Sequence, residues 1–192
     1  RILKKVEKPI RYTGGELNSC VKKLDNIDCR IVFCFPDVYE IGMSHLGLKI
    51  LYDLYNRRDD VYCERAFAPW VDMEAIMREE DIKLFSLETK TPVCDFDFVA
   101  FTLQYEMSYT NILNMLDLGG VKIKSKERIE GDPFVIAGGP CAYNSEPIAD
   151  FFDLIVMGEG EEVNLEVVDC YIKWKKANKT RDEFLEMVAE IE

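Results

Sequence analysis

The sequence predicts an α/β fold with a mainly parallel sheet that helices cover on both faces. Four continuously apolar, β-branched runs begin at Ile31, Phe98, Phe134 and Leu154, and a helix-like pattern follows each of them. Strands that are apolar throughout and alternate with helices are typical of doubly wound parallel sheets. Each run ends in a loop that is rich in glycine, proline, polar or aromatic residues. Because ligands bind outside the carboxyl ends of such strands, these loops are expected to converge on one edge of the sheet.

The spacing of apolar residues defines the individual elements along the chain. Leu46, Ile50 and Leu54 recur at helical spacing within 45–57, and Gly119–Gly120 closes a later helix as a C-terminal cap. The predicted strands are 30–35, 61–66, 98–102, 133–137 and 154–157, with candidate short strands at Leu84–Leu87 and Val121–Ile123. The predicted helices are 45–57, a short helix around 73–77, 108–118, 146–152, 161–175 and 181–191.

Composition and charge are those of an ordinary globular protein and disfavour two kinds of partner. Of the 192 residues, 48% are hydrophobic and 31% are charged, and the formal net charge is −12. An acidic protein lacks the basic surface that replaces counterions on nucleic acid, so binding of nucleic acid by this domain is disfavoured. No apolar run approaches the ~18 residues of a membrane-spanning helix, so no membrane partner is predicted. The basic first dozen residues are interpreted as a solvated lead-in, with contact to RNA or a protein partner as the alternative.

The cysteines predict the redox compartment. There are seven of them, an odd number, and no two are spaced C-x-x-C. This pattern is typical of free thiols in a reducing, cytoplasmic compartment, without a disulfide framework. It also argues against a zinc or iron–sulfur site formed wholly within this chain.

The loop after the first strand carries candidate binding residues. It contains Asp37, Tyr39, Glu40 and the only histidine of the chain, His45. A histidine at the carboxyl end of a strand can ligate a metal or a metal-bearing cofactor. It can equally open the following helix and hydrogen-bond locally, and both interpretations stay open here.

The loops after the later strands are polar, aromatic or rich in glycine. Gln104 and Tyr105 suit recognition of a flat, amide-bearing ligand. Gly138–Gly139–Pro140 lets the backbone approach a ligand or another backbone segment closely. In the last loop, Gly158–Glu159–Gly160 begins a helix, where a carboxylate is favoured by the helix dipole and the glycines leave room for a cofactor or a second domain. No dinucleotide-binding or P-loop motif is present.

Five long segments, spread over most of the chain, carry a resemblance to a known family. They read PDVYEIGMSHLGLKILYDLY (36–55), FAPWVDMEAIM (67–77), FTLQYEMSYTNILNMLDLGG (101–120), VIAGGPCAYNSEPIADFFD (135–153) and VMGEGEE (156–162). Together they resemble the cobalamin-binding-like N-terminal domain of an uncharacterised subfamily of large bacterial radical-SAM proteins. The resemblance implies a Rossmann-like, flavodoxin-type domain over 29–175, after an N-terminal arm over 1–28 that packs on it. The C-terminal helical residues 176–192 would begin a linker.

The same resemblance implies a partner domain beyond residue 192. In the relatives, a radical-SAM barrel follows, and its C-x₃-C-x₂-C cysteines hold a 4Fe-4S cluster that cleaves S-adenosylmethionine. No such motif lies in this chain. The chain is therefore expected to be an accessory domain without a complete active site.

The resemblance also makes cobalamin the candidate cofactor. In cobalamin-binding mutases and methionine synthases, an Asp-x-His-x-x-Gly loop supplies the imidazole that ligates cobalt, and its Asp orients the ring. His45 lies in the corresponding loop as the candidate cobalt ligand, but Met43 stands at the Asp position and Leu48 at the Gly position. Gly138–Gly139 matches the glycines that accommodate the nucleotide tail of the cofactor, and Thr102 stands near the position of a Ser or Thr on the third strand.

Two functions follow from these observations. In the first, the domain positions cobalamin or a substrate at the carboxyl edge of the sheet. The predicted contact residues are Asp37, Tyr39, Glu40, His45, Thr102, Gln104, Tyr105, Gly138, Gly139, Pro140, Gly158, Glu159 and Gly160. In the second, a cofactor-free domain docks the same edge on the radical-SAM barrel, and Tyr39, Tyr105 and Tyr143 fill the space that a corrin needs. An open groove favours the first function and a filled groove favours the second.

Overall fold

The computed structural model describes residues 2–191 of the chain. Its strands are β1 Cys29–Phe35, β2 Val61–Phe67, β3 Phe98–Thr102, β4 Phe134–Gly138 and β5 Leu154–Ile155. Its α-helices are α1 Tyr39–Gly42, α2 Leu46–Asn56, α3 Val71–Glu79, α4 Tyr109–Gly119, α5 Gly160–Lys176 and α6 Arg181–Val188. The N-terminal arm contains three short 3₁₀ turns, at Ile2–Lys4, Pro9–Tyr12 and Leu24–Asn26.

The five strands form one parallel sheet in the order β2-β1-β3-β4-β5. In its centre, Phe33 of β1 pairs with Ala100 of β3, which in turn pairs with Ile136 of β4. The predicted doubly wound α/β fold is confirmed, and this strand order is that of flavodoxin-type sheets. The chain leaves β1 toward one side of the sheet and β3 toward the other. The topological switch point therefore lies between these two strands.

Helices cover both faces of the sheet, as the continuously apolar strands predict. Along β1, Val32 and Cys34 pack toward α3 and α4, whereas Ile31 and Phe33 pack toward α2, α5 and α6. Successive side chains of a strand point to opposite faces, so a strand buried on both sides must be apolar at every position. The sheet thus separates two hydrophobic cores.

The two candidate short strands are absent from the sheet. Within Leu84–Leu87, only Phe85 forms an isolated antiparallel bridge, to Pro92. This segment folds over β2 instead, where the Ser86 hydroxyl donates to the buried Glu64 carboxylate at 2.7 Å. The carbonyl groups of residues 122 and 123 accept hydrogen bonds from the Arg128 guanidinium, so Val121–Ile123 does not pair with a strand.

Three predicted elements are shorter or tighter than expected, and one of them is the last helix, which ends at Val188 and not at residue 191. Residues 146–152 form a 3₁₀ turn, Glu146–Phe151, and not an α-helix. Its backbone hydrogen bonds span three residues, from the Ile148 amide to the Ser145 carbonyl and from the Phe152 amide to the Ala149 carbonyl, which is the pattern of a 3₁₀ turn. The last strand ends at Ile155 and not at residue 157, because the chain turns toward α5 at Gly158, where φ is +103°.

The N-terminal arm packs against β2 and against the segments that follow β1 and β2. Arg11 Nε donates to both Glu40 carboxylate oxygens, at 3.0 and 2.9 Å. The Glu16 carboxylate pairs with Arg65 of β2 at 2.9 Å and accepts a hydrogen bond from the Tyr39 hydroxyl at 2.9 Å. These bonds hold the arm over the β2 half of the carboxyl edge.

Helix α6 packs into the core between α5 and the sheet. Its Phe184 is fully buried, and the ring lies 4.4 Å from that of Phe134 and 5.8 Å from that of Tyr171. The boundary at residue 175 and the linker role of 176–192 stay predictions.

Two further features concern the cysteines and the apolar character of the helices. All seven cysteines are free thiols. Within residues 2–191, no helix has the length and apolar character needed to cross a lipid bilayer.

A buried ion-pair cluster stabilises the edge of the sheet opposite the carboxyl ends. Asp153 Oδ2 accepts hydrogen bonds from Arg128 Nη1 at 2.7 Å and from the Val135 amide at 2.7 Å, and it lies 2.9 Å from Arg181 Nη2. The side chain of Arg128 is fully buried and that of Asp153 is 2% exposed. The cluster ties α6 to the segments that precede β4 and β5.

We predict that Asp153→Ala lowers the free energy of unfolding by about 3–5 kcal/mol, because it leaves two guanidinium groups buried without their carboxylate. Urea-induced unfolding measures the loss. The matched control is Asp169→Ala, which breaks the half-exposed pair of Asp169 with Arg58 and is expected to cost about 0–1 kcal/mol. Equal losses in the two variants would contradict the assignment of the Asp153 cluster as a major stabilising element.

Candidate functional site

A cavity of about 190 Å³ opens at the carboxyl edge of the sheet, beside the switch point. Its floor is formed by Phe33, Ala100 and Ile136, on three neighbouring strands. Leu48 and Leu51 of α2 line one wall, and the first turn of α5 lines the other. The topology therefore brings together segments that lie more than 100 residues apart in the chain.

Glycine backbone lines much of this cavity. Five of the chain's 11 glycines contribute, namely Gly47, Gly138, Gly139, Gly158 and Gly160. At Gly139 φ is +107°, and a Cβ atom there would lie 3.0 Å from Thr102 Oγ1. A side chain at this position would be strained and would crowd the Thr102 hydroxyl. Glycine keeps both the backbone and this hydroxyl accessible from the cavity.

Three polar side chains face this site with hydrogen-bonding capacity to spare. Gln104 Nε2 donates to Thr102 Oγ1, and Asn164 Nδ2 donates to the Gly160 carbonyl at 2.7 Å. Among residues 2–191, Gln104 Oε1 and Asn164 Oδ1 accept no hydrogen bond, and the Thr102 hydroxyl has no acceptor for its own proton. Asn164 is nevertheless only 8% exposed. An amide oxygen in so buried a position is available to a ligand in the cavity.

The cavity has little charge. No lysine or arginine lines it, and the ionisable side chains along its described wall are His45, Tyr55 and Glu161. Burial raises the pKa of the Tyr55 phenol well above its usual value, so this group stays neutral. The site suits a neutral group better than a phosphate or carboxylate, which would need a basic partner.

His45 lies at the rim of the cavity as the N-cap of α2. Its Nδ1 accepts a hydrogen bond from the Leu48 amide at 3.1 Å, and its ring lies 5.1 Å from that of Phe35. With Nδ1 as acceptor, the neutral ring carries its proton on Nε2. Ligation of a metal through Nε2 would require this tautomer and the hydrogen bond to change, and Met43 supplies no carboxylate to stabilise the other tautomer. Within residues 2–191, no cluster of three or more His, Cys, Asp or Glu is placed to hold a metal ion.

Seven of the 13 predicted contact residues line the cavity. They are His45, Thr102, Gln104, Gly138, Gly139, Gly158 and Gly160. The four loops that are far apart in the sequence therefore do meet at one place. Their role as contact residues stays a prediction.

Two predicted residues bond to the N-terminal arm instead, and a third bonds to its own neighbour in the chain. Asp37 Oδ1 accepts a hydrogen bond from the adjacent Val38 amide at 2.7 Å. The Tyr39 hydroxyl donates to Glu16, and the Glu40 carboxylate pairs with Arg11. Burial and the hydrogen bond to Glu16 raise the pKa of Tyr39. Tyr39 and Glu40 hold the arm in place, and none of the three side chains lines the cavity.

The remaining predicted residues lie on the rim outside the cavity. Tyr105 is 49% exposed, Pro140 begins an exposed 3₁₀ turn, and Glu159 is exposed at the start of α5. Tyr143 is also exposed. Tyr39, Tyr105 and Tyr143 do not line the cavity, and neither does the arm, so the groove is open.

Sequence reasoning missed the contributions of the two helices. Gly47 of α2 and Asn164 of α5 line the cavity and were not among the predicted residues. For Asn164 a signal exists in the sequence. It precedes Val167 and Val168 by three and four residues, so it falls on the buried stripe of α5, where a polar residue is unusual. Val163 and Leu165, the apolar neighbours of Asn164 in the chain, are by contrast only partly buried.

The fold, with an open cavity at the carboxyl edge of a parallel sheet, is that of a Rossmann-like domain. The family described as "Radical SAM proteins, N-terminal" matches residues 47–192, which is most of the chain. The chain therefore belongs to this family of N-terminal domains.

A relative of this chain is an uncharacterised protein of Methanocaldococcus jannaschii. It is 26% identical over 142 residues, a region that covers 72% of this chain and 26% of that protein. The chain thus spans about a quarter of the length of the curated relative that it matches.

We predict that His45→Ala destabilises the protein by about 1 kcal/mol, because α2 loses its N-cap acceptor. His45→Asn keeps an acceptor at the cap and is expected to retain most of the stability. Urea-induced unfolding of both variants measures the difference. If His45→Asn lowers the free energy of unfolding as much as His45→Ala does, His45 does not stabilise the protein by capping α2.

Proposed function

We propose that this N-terminal radical-SAM domain positions cobalamin at the carboxyl edge of its sheet. The observation that carries the proposal is the open, glycine-lined cavity at the switch point between β1 and β3. Ligands of open α/β sheets occupy this place. The tyrosines that would have filled the groove of a cofactor-free domain lie outside the cavity.

The size of the cavity limits which part of cobalamin it can receive. A volume of about 190 Å³ corresponds to roughly six water molecules at liquid density. This is room for a small heteroaromatic base but not for a corrin macrocycle. The proposal therefore assigns the base at the end of the nucleotide tail to the cavity, where Gly138 and Gly139 present their backbone, and leaves the phosphate and the corrin at the rim.

The domain's own contribution is to bind and orient the cofactor. The apolar floor formed by Phe33, Ala100 and Ile136 excludes water from the tail, and the surrounding helices fix the direction in which the group enters. Bound cobalamin would supply the organometallic chemistry of its cobalt. The family implies S-adenosylmethionine and a 4Fe-4S cluster for the companion radical-SAM domain, and their chemistry would take place there.

We predict that cobalamin added to the purified chain is retained in equilibrium dialysis and shifts its visible spectrum. Gly138→Leu should weaken binding at least about tenfold, because residue 138 shares the cavity face of β4 with Ile136. A Cβ atom at residue 138 has ordinary room, 3.5 Å from the Val156 carbonyl oxygen, so the fold should tolerate the change. Titration of wild type and variant measures the effect.

Ile129→Ala is the matched control for this experiment. Ile129 is exposed at the opposite edge of the sheet and is expected to leave cobalamin affinity unchanged. Thermal unfolding confirms that each variant is folded. If wild-type protein neither retains cobalamin nor shifts its spectrum, the proposed function is wrong.

Cobalt ligation by His45 stays a separate prediction. The His45→Asn variant removes the imidazole but keeps an acceptor for the Leu48 amide. A visible spectrum of bound cobalamin that differs between wild type and this variant supports ligation. Identical spectra limit His45 to its role at the start of α2.

The exposed surface around the cavity favours a second candidate function, docking on the companion domain. Eight large apolar side chains are exposed on loops and helix starts that follow the five strands. They are Ile41, Leu46, Trp70, Val71, Tyr105, Met107, Tyr143 and Met157. A concentration of apolar side chains on one edge is typical of an interaction surface. We propose that the radical-SAM domain implied by the family covers this rim.

We predict that amide hydrogen exchange in 103–109 and 140–145 is slower, on the order of tenfold, in the longer protein than in the isolated chain. Coverage of the rim would limit the opening of these loops. The segment 129–133 at the opposite edge is the internal control and should exchange equally in both. Equal exchange in all three segments would contradict docking at the carboxyl edge.

A further inference from the structure

The polar atoms in the cavity point to the kind of base that it accepts. Thr102 provides a hydroxyl proton without an acceptor, and Asn164 and Gln104 provide amide oxygens without donors, among the described residues. All three lie within the same cavity of about 190 Å³, above an apolar floor. A site of this kind offers both donors and acceptors to a flat ring.

A ring without an N–H donor would leave the two amide oxygens unpaired. The base of ordinary cobalamin, 5,6-dimethylbenzimidazole, carries two methyl groups and has no N–H donor when it is linked to its ribose, although its free ring nitrogen can accept a hydrogen bond from Thr102. Adenine has an exocyclic amino donor and ring nitrogens that accept. A site built to hydrogen-bond a ligand rejects an analogue that lacks the matching groups more strongly than an apolar pocket does, because buried polar atoms lose their partners.

The ligand group is neutral. No lysine or arginine lines the cavity, and Glu161 is the one carboxylate along its described wall. A phosphate group would find no basic side chain there, whereas an uncharged purine needs none. Glycine at residue 139 keeps the Thr102 hydroxyl accessible to such a ring, since a Cβ atom there would crowd this hydroxyl.

We infer that this cavity selects an adenine-type purine over dimethylbenzimidazole as the base of its ligand. The inference rests on the proposed function for its main ligand, a corrinoid whose nucleotide tail carries adenine. An adenine nucleoside without a corrin offers the same ring. The experiment must therefore separate these two sources.

The test compares three probes on the purified chain by equilibrium dialysis and isothermal titration calorimetry. They are cobalamin, the corrinoid with adenine in place of dimethylbenzimidazole, and free adenosine. We expect the adenine corrinoid to bind about tenfold more tightly than cobalamin, the difference expected from one unpaired buried polar group.

Substitutions that remove the polar atoms should abolish the preference. Asn164→Leu and Gln104→Leu each remove an amide oxygen and nearly keep the volume of the side chain. Each should reduce the ratio of the two corrinoid affinities toward one, with little effect on cobalamin itself. Thr13→Val, in the exposed arm, is the control and should leave the ratio unchanged. Unfolding curves verify that the variants are folded, and Gln104→Leu alone suffices if Asn164→Leu does not fold.

The outcomes separate the inference from the proposed function. Tighter binding of the adenine corrinoid, with the preference lost in Asn164→Leu or Gln104→Leu, supports both. Equal affinities, or tighter binding of cobalamin, overturn the inference and leave the proposed function standing. Binding of adenosine with no binding of either corrinoid supports the purine site and overturns the cobalamin proposal. No binding of any probe overturns both.

Discussion

The parallel pairing of β1 with β3 is the constraint on which the site depends. Ile31 pairs with Phe98 and Cys34 with Phe101, so the two strands end at the same edge. The helix that follows β1 lies on one face of the sheet and the helix that follows β3 lies on the other. Their connections diverge as they leave this shared edge, which opens a crevice without any side chain being removed from the core. The position of the cavity is therefore set by the chain topology, and the lining residues determine its shape and polarity.

The two edges of the sheet have different roles. At the amino edge, two buried guanidinium groups and the Val135 amide converge on the Asp153 carboxylate, and this cluster joins α6 to the sheet. At the carboxyl edge, polar groups are left with spare hydrogen-bonding capacity and apolar side chains are left exposed. The stabilising cluster and the proposed binding site thus lie at opposite ends of the same strands. This separation lets the loops vary without loss of the fold.

The arm divides the carboxyl edge into a closed half and an open half. Arg11 and Glu16 form ion pairs and hydrogen bonds with Glu40, Arg65 and Tyr39, and they cover the side of the edge near β2. The half near β3 and β4 stays open and contains the cavity. A ligand at the switch point and a companion domain on the rim would share this open half. The two candidate functions are therefore compatible with each other.

Local patterns in the sequence were sufficient to determine the fold class and most elements, because strand and helix periodicities reflect which faces are buried. They also identified Thr102, Gly138, Gly139 and Gly158 as neighbours, since residues at the carboxyl ends of parallel strands must meet. Tertiary structure alone decided which way the remaining side chains turn. Tyr39 and Glu40 bond to arm residues 23 and 29 positions earlier, and Asn164 reaches the cavity only because α5 packs beside α2. A side chain's direction depends on contacts between distant segments, and no local periodicity encodes those contacts.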